Sequence, residues 1–589
     1  MRNSNCSFIG LVLFFIVFIV LYSSCDSNKE DDLNLCSLPT IHWQKGDDII
    51  IEQDFYVDSV VLIIDAGVNV KIKYGCSIIV GSVYSGVIIA KGTSDEPINF
   101  ETYNPTGNSE TSFWGSIDLH NSACDETLSE FEHCNFIKGG GNGFEAVILS
   151  WYSGCSFKNC LIDFSKGYGY FLGDNARIFT FENNTLRNTF GHPISIPVKY
   201  TYAIGNGNLI LSDSVNHGIL LRGEYLSLVE SVSWKAQTVP YIINDNLNIR
   251  NMGSSSLTTI ELEEGTKIAF TKDRTLSFKD NTGIVARGTQ ENPIVFTSSL
   301  NSPEAGDWNS IYFWKEGNGQ FEFCTFEYGG ADPESMVDNG MVVFSSVNGV
   351  SFDNCLFQYS MAPAIKLYKP NIIDSPYPSF LVFANNEFKN LNQFSLSLCP
   401  QSISSVDYSN EFNNYDIEVL DSDIKEYVLW KNLGADYYTE EYFSVNGENG
   451  STVEFEPGVK IKFNGGGIRT GTAMKWGGRL IAVGTTENPI IFTSASDEPS
   501  HGDWAGIKFY TNTAEGCLLD NCNILFAGAQ SSNMWKAAVY ICCNDSNVTI
   551  RNSTIAHSST GGICVSSEAT PTLENNSFLD NLGGNGCDY

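Results

Sequence analysis

Apolar and polar residues alternate in short segments that return at a steady interval. Phe131-Glu132-His133-Cys134-Asn135-Phe136 is echoed by Phe157-Lys158-Asn159-Cys160-Leu161-Ile162 and by Phe181-Glu182-Asn183-Asn184-Thr185-Leu186. The shared position, Cys134, Cys160 and Asn184, recurs after 26 and 24 residues. Further on, Cys324, Cys355 and Asn386 recur at 31 and 31, and Cys522, Ser553 and Asn576 at 31 and 23. A two-residue alternation is the signature of a strand with one buried face. No long segment carries a sustained helical period. A single short strand cannot bury its apolar face alone, so strands recurring at this interval predict coils stacked in parallel, with like residues above one another. Stacked Asn side chains hydrogen-bond along such a ladder. A Cys at an inward ladder position acts as a small buried hydrophobe. Cys134, Cys160, Cys324, Cys355 and Cys522 are therefore expected as core thiols, with Cys542, Cys543, Cys564 and Cys587 left as bridge formers.

A longer period encloses the short one. Ala90-Lys91-Gly92-Thr93 leads to Pro97-Ile98-Asn99-Phe100, Ala286-Arg287-Gly288-Thr289 to Pro293-Ile294-Val295-Phe296, and Ala482-Val483-Gly484-Thr485 to Pro489-Ile490-Ile491-Phe492. Pro97 and Pro293 are 196 residues apart, as are Pro293 and Pro489. Trp114, Trp308 and Trp504 follow each motif, while Trp43, Trp234 and Trp430 open each unit. The chain is a triplication, divided here into repeats over 41–229, 230–425 and 426–589, the last one truncated. The glycines, prolines and tryptophans common to all three repeats are read as scaffold.

The motif Gly-Thr-x-x-x-Pro-Ile-x-Phe, followed by Gly306-Asp307-Trp308 and Gly502-Asp503-Trp504, resembles the right-handed parallel β-helix, or pectin-lyase-like, superfamily. The resemblance spans nearly all of residues 40–589. The first repeat departs from it, with Phe113 standing before Trp114. It implies an all-β, single-stranded right-handed parallel β-helix of about 20 coils. It specifies the fold and leaves the activity open.

The N-terminus sets the expected compartment. Residues 1–24 read as a signal peptide: Arg2, then an apolar run from Phe8 to Tyr22, too short for the ~20 residues that span a bilayer as a helix. Ser23-Ser24-Cys25 resembles a lipobox, which implies lipidation at Cys25 and anchoring in a membrane. The tether over 25–40 begins Asp26-Ser27-Asn28-Lys29-Glu30-Asp31-Asp32 and resembles the lysine-plus-acidic tag of Bacteroidota lipoproteins displayed on the outer face of the outer membrane. The formal charge of −34 disfavours nucleic acid and anionic membrane surfaces as partners. A polyanionic glycan would need bridging cations, so calcium is left open while no other cofactor is indicated.

Catalytic signals are sparse. Galacturonan hydrolases of this superfamily pair aspartates with Gly-His-Gly and Arg-x-Lys segments. Here Gly191-His192-Pro193 and Asn216-His217-Gly218 stand without adjacent aspartate pairs. The seven histidines (42, 120, 133, 192, 217, 501 and 557) share no repeat position and show no metal-ligand spacing. Four tryptophans belong to single repeats: Trp151, Trp314, Trp476 and Trp535. An exposed indole is a flat face for a sugar ring, so these are the candidate glycan contacts. The expected function is a surface-anchored, non-catalytic β-helix offering an extended face to an extracellular polysaccharide or other glycan. The alternatives are a polysaccharide lyase or glycoside hydrolase, and an adhesive or structural stalk that binds a protein.

Overall fold

The computed structural model describes residues 38–103, 112–120, 129–141, 143, 145–212, 217–251, 256–331, 339–345, 348–368, 377–420, 423–447, 450–471, 477–511, 513, 515–529, 537–542 and 547–586. Cys25, Trp476 and Trp535 lie outside them. The described residues up to 212, with 217–220, form one compact unit, and those from 221 onward a second.

In the first unit the chain visits three all-parallel sheets in rotation. Six strands from Thr40–Trp43 to Arg177–Glu182 build the first face, and seven from Asp48–Ile51 to Leu209–Ile210 the second. The third face includes Phe55–Val57, Ile78–Val80, Ile117–Leu119, Ala146–Ser150, Tyr168–Leu172 and Ile194–Pro197. Each strand pairs with the strand one coil on, as Phe136 does with Phe100 and Ile162. These are the parallel stacked coils that the alternating segments predict, and they form the parallel β-helix that the resemblance implies.

The ladder positions carry the corner chemistry. Cys134, Cys160, Cys324, Cys355 and Cys522 are buried free thiols, whereas Cys542 and Cys564 are disulfide-bonded. The N–H of Cys160 donates to Asn184 Oδ1 (3.0 Å), and the N–H of Asn184 donates in turn to Asn208 Oδ1 (3.1 Å). The second repeat repeats this through Cys355, Asn386 and Asn410. The third does so through Cys522, Ser553 and Asn576. The residue before each of these ladder positions except Asn410 turns the corner in the left-handed region, as at Asn159 (φ 52°), Asn354 (54°) and Asn552 (49°). Asn is one of the few side chains that enter this region readily. The bend withdraws the following N–H from the regular ladder, and a side-chain oxygen of the next coil, an Asn amide or the Ser553 hydroxyl, accepts it.

The Gly-Thr-x-x-x-Pro motif is a turn with one forced glycine. A Cβ on Gly288 would stand 2.6 Å from the carbonyl oxygen of Phe323 in the next coil. The Thr289 hydroxyl accepts the N–H of Asn292 (3.0 Å) and closes the turn. Thr93 and Thr485 do the same.

The second unit holds a departure that the repeat pattern does not reveal. The motif strand Ile294–Ser298 pairs with Lys267–Phe270 and Cys324–Glu327. Its equivalent, Ile490–Ser494, belongs instead to the fourteen-stranded sheet that also contains Ser310–Trp314. The frame slips because Leu396–Leu398 pairs directly with Ile417–Val419, and the short 3-10 helix Pro400–Ser405 replaces strands in that coil. Equivalent residues of the second and third repeats therefore look out from different faces.

Candidate functional site

Outward side chains on the third face of the first unit form a continuous aromatic stripe. Tyr168 and Phe171 lie on one strand, Trp151 follows the strand one coil earlier, and His192 and His217 precede the next turns of the ladder. Their rings follow one another as neighbours: Trp151 to Phe171 at 5.6 Å between centroids, Phe171 to Tyr168 at 5.7 Å, Tyr168 to His192 at 6.5 Å, and His192 to His217 at 5.3 Å. All five are half-buried, packed against the sheet while presenting surface to solvent. Tyr170, between Tyr168 and Phe171, is wholly buried in the core, and because Tyr168 and Phe171 stand three residues apart, their shared exposure departs from strict strand alternation at the start of this strand.

One end of the stripe carries a carboxylate. Asp118 Oδ2 lies 3.2 Å from His120 Nε2, and the Trp151 side chain also hydrogen-bonds the carboxyl group. Burial lifts the Asp118 carboxyl above its ordinary range, against the opposing pull of His120 and Trp151. At the other end, burial and the facing His217 push the His192 imidazole down to about 4. The N–H of Gly218 donates to His192 Nδ1 (3.3 Å), which fixes that nitrogen as an acceptor. Because the folded state resists protonating His192 while the unfolded chain titrates near 6.5, folding stability falls as pH drops from about 6.5 to about 4. Urea titrations at pH 7 and pH 4.5 are expected to give a smaller midpoint loss for His192→Gln than for the parent. An equal loss would contradict a neutral folded-state His192.

Beside the stripe, Tyr74, Phe113, Lys138, Phe164, Lys166 and Phe190 line an open groove of about 630 Å³. Phe113 and Phe190 meet edge-on at 6.3 Å. Lys166 pairs with Glu145 at 3.0 Å. Phe164 is held at φ 60°, a region that bulky residues occupy only under constraint. The constraint belongs to the scaffold, since the fourth residue after the ladder position turns the same way at Tyr328 (64°), Tyr359 (53°), Phe526 (63°) and His557 (55°). The corner is common to the repeats, and its side chain is what changes.

The tryptophans separate accordingly. Trp114, Trp308 and Trp504 are fully buried, and their indole N–H groups donate to the carbonyls of Ile137, Glu327 and Leu525. Trp43, Trp234 and Trp430 are also buried. Trp151 joins the stripe. Trp314 is half-buried, and Lys315 Nζ sits 4.7 Å from its ring centroid, covering one face. His192 and His217, noted for their glycine neighbours, join the stripe too, whereas Tyr168, Phe171 and the groove residues escape a search for motifs, because they are gathered across coils. The signal available was the coil interval applied to outward positions: Tyr168, His192 and His217 are spaced at 24 and 25.

Position in the repeat separates His501 from His557, yet stacking brings both against Asp580: His501 Nε2 and His557 Nδ1 lie 3.1 and 3.0 Å from Asp580 Oδ2.

Three all-parallel faces, inward ladders and left-handed corners define a parallel β-helix. Residues 227–352 and 424–516 match the family model of the pectate-lyase-like β-helix domain, within the superfamily that includes lyases and hydrolases. No curated protein matches the chain. Both matched segments lie in the second unit, whereas the aromatic stripe and the groove lie in the first.

Proposed function

We propose that this protein is a non-catalytic glycan-binding β-helix, held on the outer surface of its cell by a lipid on Cys25, with the first repeat as its recognition surface. The carrying observation is the ring series Trp151, Phe171, Tyr168, His192 and His217. Half-exposed rings on a rigid sheet present flat apolar faces without ordering a loop on binding, which keeps the entropic cost low. The adjoining groove extends the same aromatic character. The strongly acidic chain favours a neutral glycan over a polyanionic one.

The second reading, a polysaccharide lyase or hydrolase, draws on Asp118, whose raised carboxyl pKa suits a proton donor. A polysaccharide array probed with the lipid-free full chain separates the two when scored for retention and for new reducing or unsaturated ends. Retention without new ends is expected. Cleavage that disappears in Asp118→Asn would replace the binding reading with the enzymatic one, and silence on every neutral glycan would remove the glycan reading.

A further inference from the structure

We propose that His501, His557 and Asp580 form a divalent transition-metal site, zinc being the best match, that ties together successive coils of the third repeat. Each residue offers one ligand atom, and the three atoms all lie within 4.8 Å of one another. His501 Nε2 and His557 Nδ1 approach the same carboxylate oxygen at 3.1 and 3.0 Å. Ligand atoms around a tetrahedral zinc, each about 2.0–2.2 Å from the metal, stand roughly 3.3 Å apart. The trio therefore needs only small shifts to close on an ion. Two imidazoles and one carboxylate suit zinc and its transition-metal neighbours, whereas calcium prefers an all-oxygen shell. Three protein ligands leave at least one coordination position open.

Three further observations set the trio apart from a chance surface cluster. The Phe526 ring stacks on His557 at 4.9 Å and 13°, fixing the imidazole plane. The backbone beneath is tied coil to coil: the N–H of Gly502 donates to Phe526 O (3.1 Å), and the N–H of His557 donates to Leu579 O (3.0 Å). His557 and Asp580 occupy left-handed corners (φ 55° and 49°), so a scaffold bend common to the repeats sets the direction of both side chains. The second repeat places Ala305, Tyr359 and Asn390 at the equivalent positions, a set without metal-binding character. The ligands are thus the third repeat's own. All three remain solvent-accessible, with side chains 31%, 31% and 55% exposed, so an ion can enter without unfolding.

The test is zinc titration of the tag-free full chain after chelator treatment, read by calorimetry and by the metal retained after gel filtration. One equivalent is expected, with a dissociation constant below about 1 µM, weaker than four-ligand structural sites. His557→Asn and Asp580→Asn keep residues that tolerate the left-handed corner, so circular dichroism should be unchanged. Each is expected to weaken zinc binding at least ~10-fold, the lower end of what losing even a supporting group costs a metal site. His42→Ala, at a His–Asp pair of the first unit, should leave the stoichiometry at one. The absence of micromolar binding, or an equivalent that survives Asp580→Asn unchanged, would overturn the assignment and leave a hydrogen-bonded trio. The readout is metal alone, so it stands or falls separately from glycan recognition.

Discussion

Trp308→Ala is expected to destabilise the second unit by about 3–5 kcal/mol, the range for truncating a large buried aromatic. Trp308 is fully buried, its ring stacks on Phe270 at 4.4 Å and 14°, and its N–H donates to Glu327 O at 2.9 Å. Gly329 lies so close that a Cβ there would stand 2.5 Å from the indole, so the backbone is moulded to the ring. Truncation would leave a cavity between coils, and parallel strands fixed on both sides cannot collapse into it. Trp308→Phe separates the two contributions. It keeps most of the stack but strands the Glu327 carbonyl, at about 1–3 kcal/mol. Urea unfolding followed by far-ultraviolet circular dichroism measures both. Repeat arrays can unfold in parts, so the affected transition is the one to compare. A midpoint for Trp308→Ala indistinguishable from the parent would refute the structural role assigned to these repeated tryptophans.

The repeated positions show what sequence could and could not convey. The interval of 196 residues exposes Gly288, Thr289 and Trp308 as scaffold because each answers a local demand: a close carbonyl, a turn N–H, a cavity between coils. Cys134, Cys160, Cys324 and Cys355 are legible for a similar reason, since an inward ladder position accepts a small apolar side chain. Asn208 and Asn410 extend the amide ladder by one coil each, and they escape a search confined to the Phe-x-x-Cys/Asn segment. The slip of frame between the second and third repeats is invisible, because a coil that substitutes a 3-10 helix for strands leaves the repeat length unchanged. That slip also changes the functional expectation. Equivalent surface residues of these two repeats do not share one face, so an extended ligand cannot read them in register. Recognition is better served by a patch made within one repeat, and sequence discloses little of such a patch beyond Trp151, His192 and His217.

Trp151→Ala and Tyr168→Ala are each expected to weaken retention of the bound glycan by about 1–2 kcal/mol, roughly 5- to 30-fold, as central aromatic anchors do. Neither side chain is buried in the core, and the structural loss is confined to the Trp151 hydrogen bond to Asp118. Both face outward, while the buried residue between Tyr168 and Phe171 is Tyr170, so unfolding midpoints should stay near the parent value. The two sites are coupled through one ring: Phe171 lies 5.6 Å from Trp151 and 5.7 Å from Tyr168. Removing either neighbour frees Phe171 to rotate, so the double variant should lose less than the sum of the singles, as for residues that share a partner. Trp314→Ala, in the second repeat and with one ring face covered by Lys315, is expected to leave affinity within about 2-fold, the behaviour of a residue outside the binding patch. Surface plasmon resonance against the glycan retained on the array supplies the comparison. Equal losses from Trp314→Ala and Trp151→Ala would move recognition off the first repeat. Strict additivity of Trp151→Ala and Tyr168→Ala would mean that Phe171 does not join them into one surface, and the stripe would then act as separate contacts along the sheet.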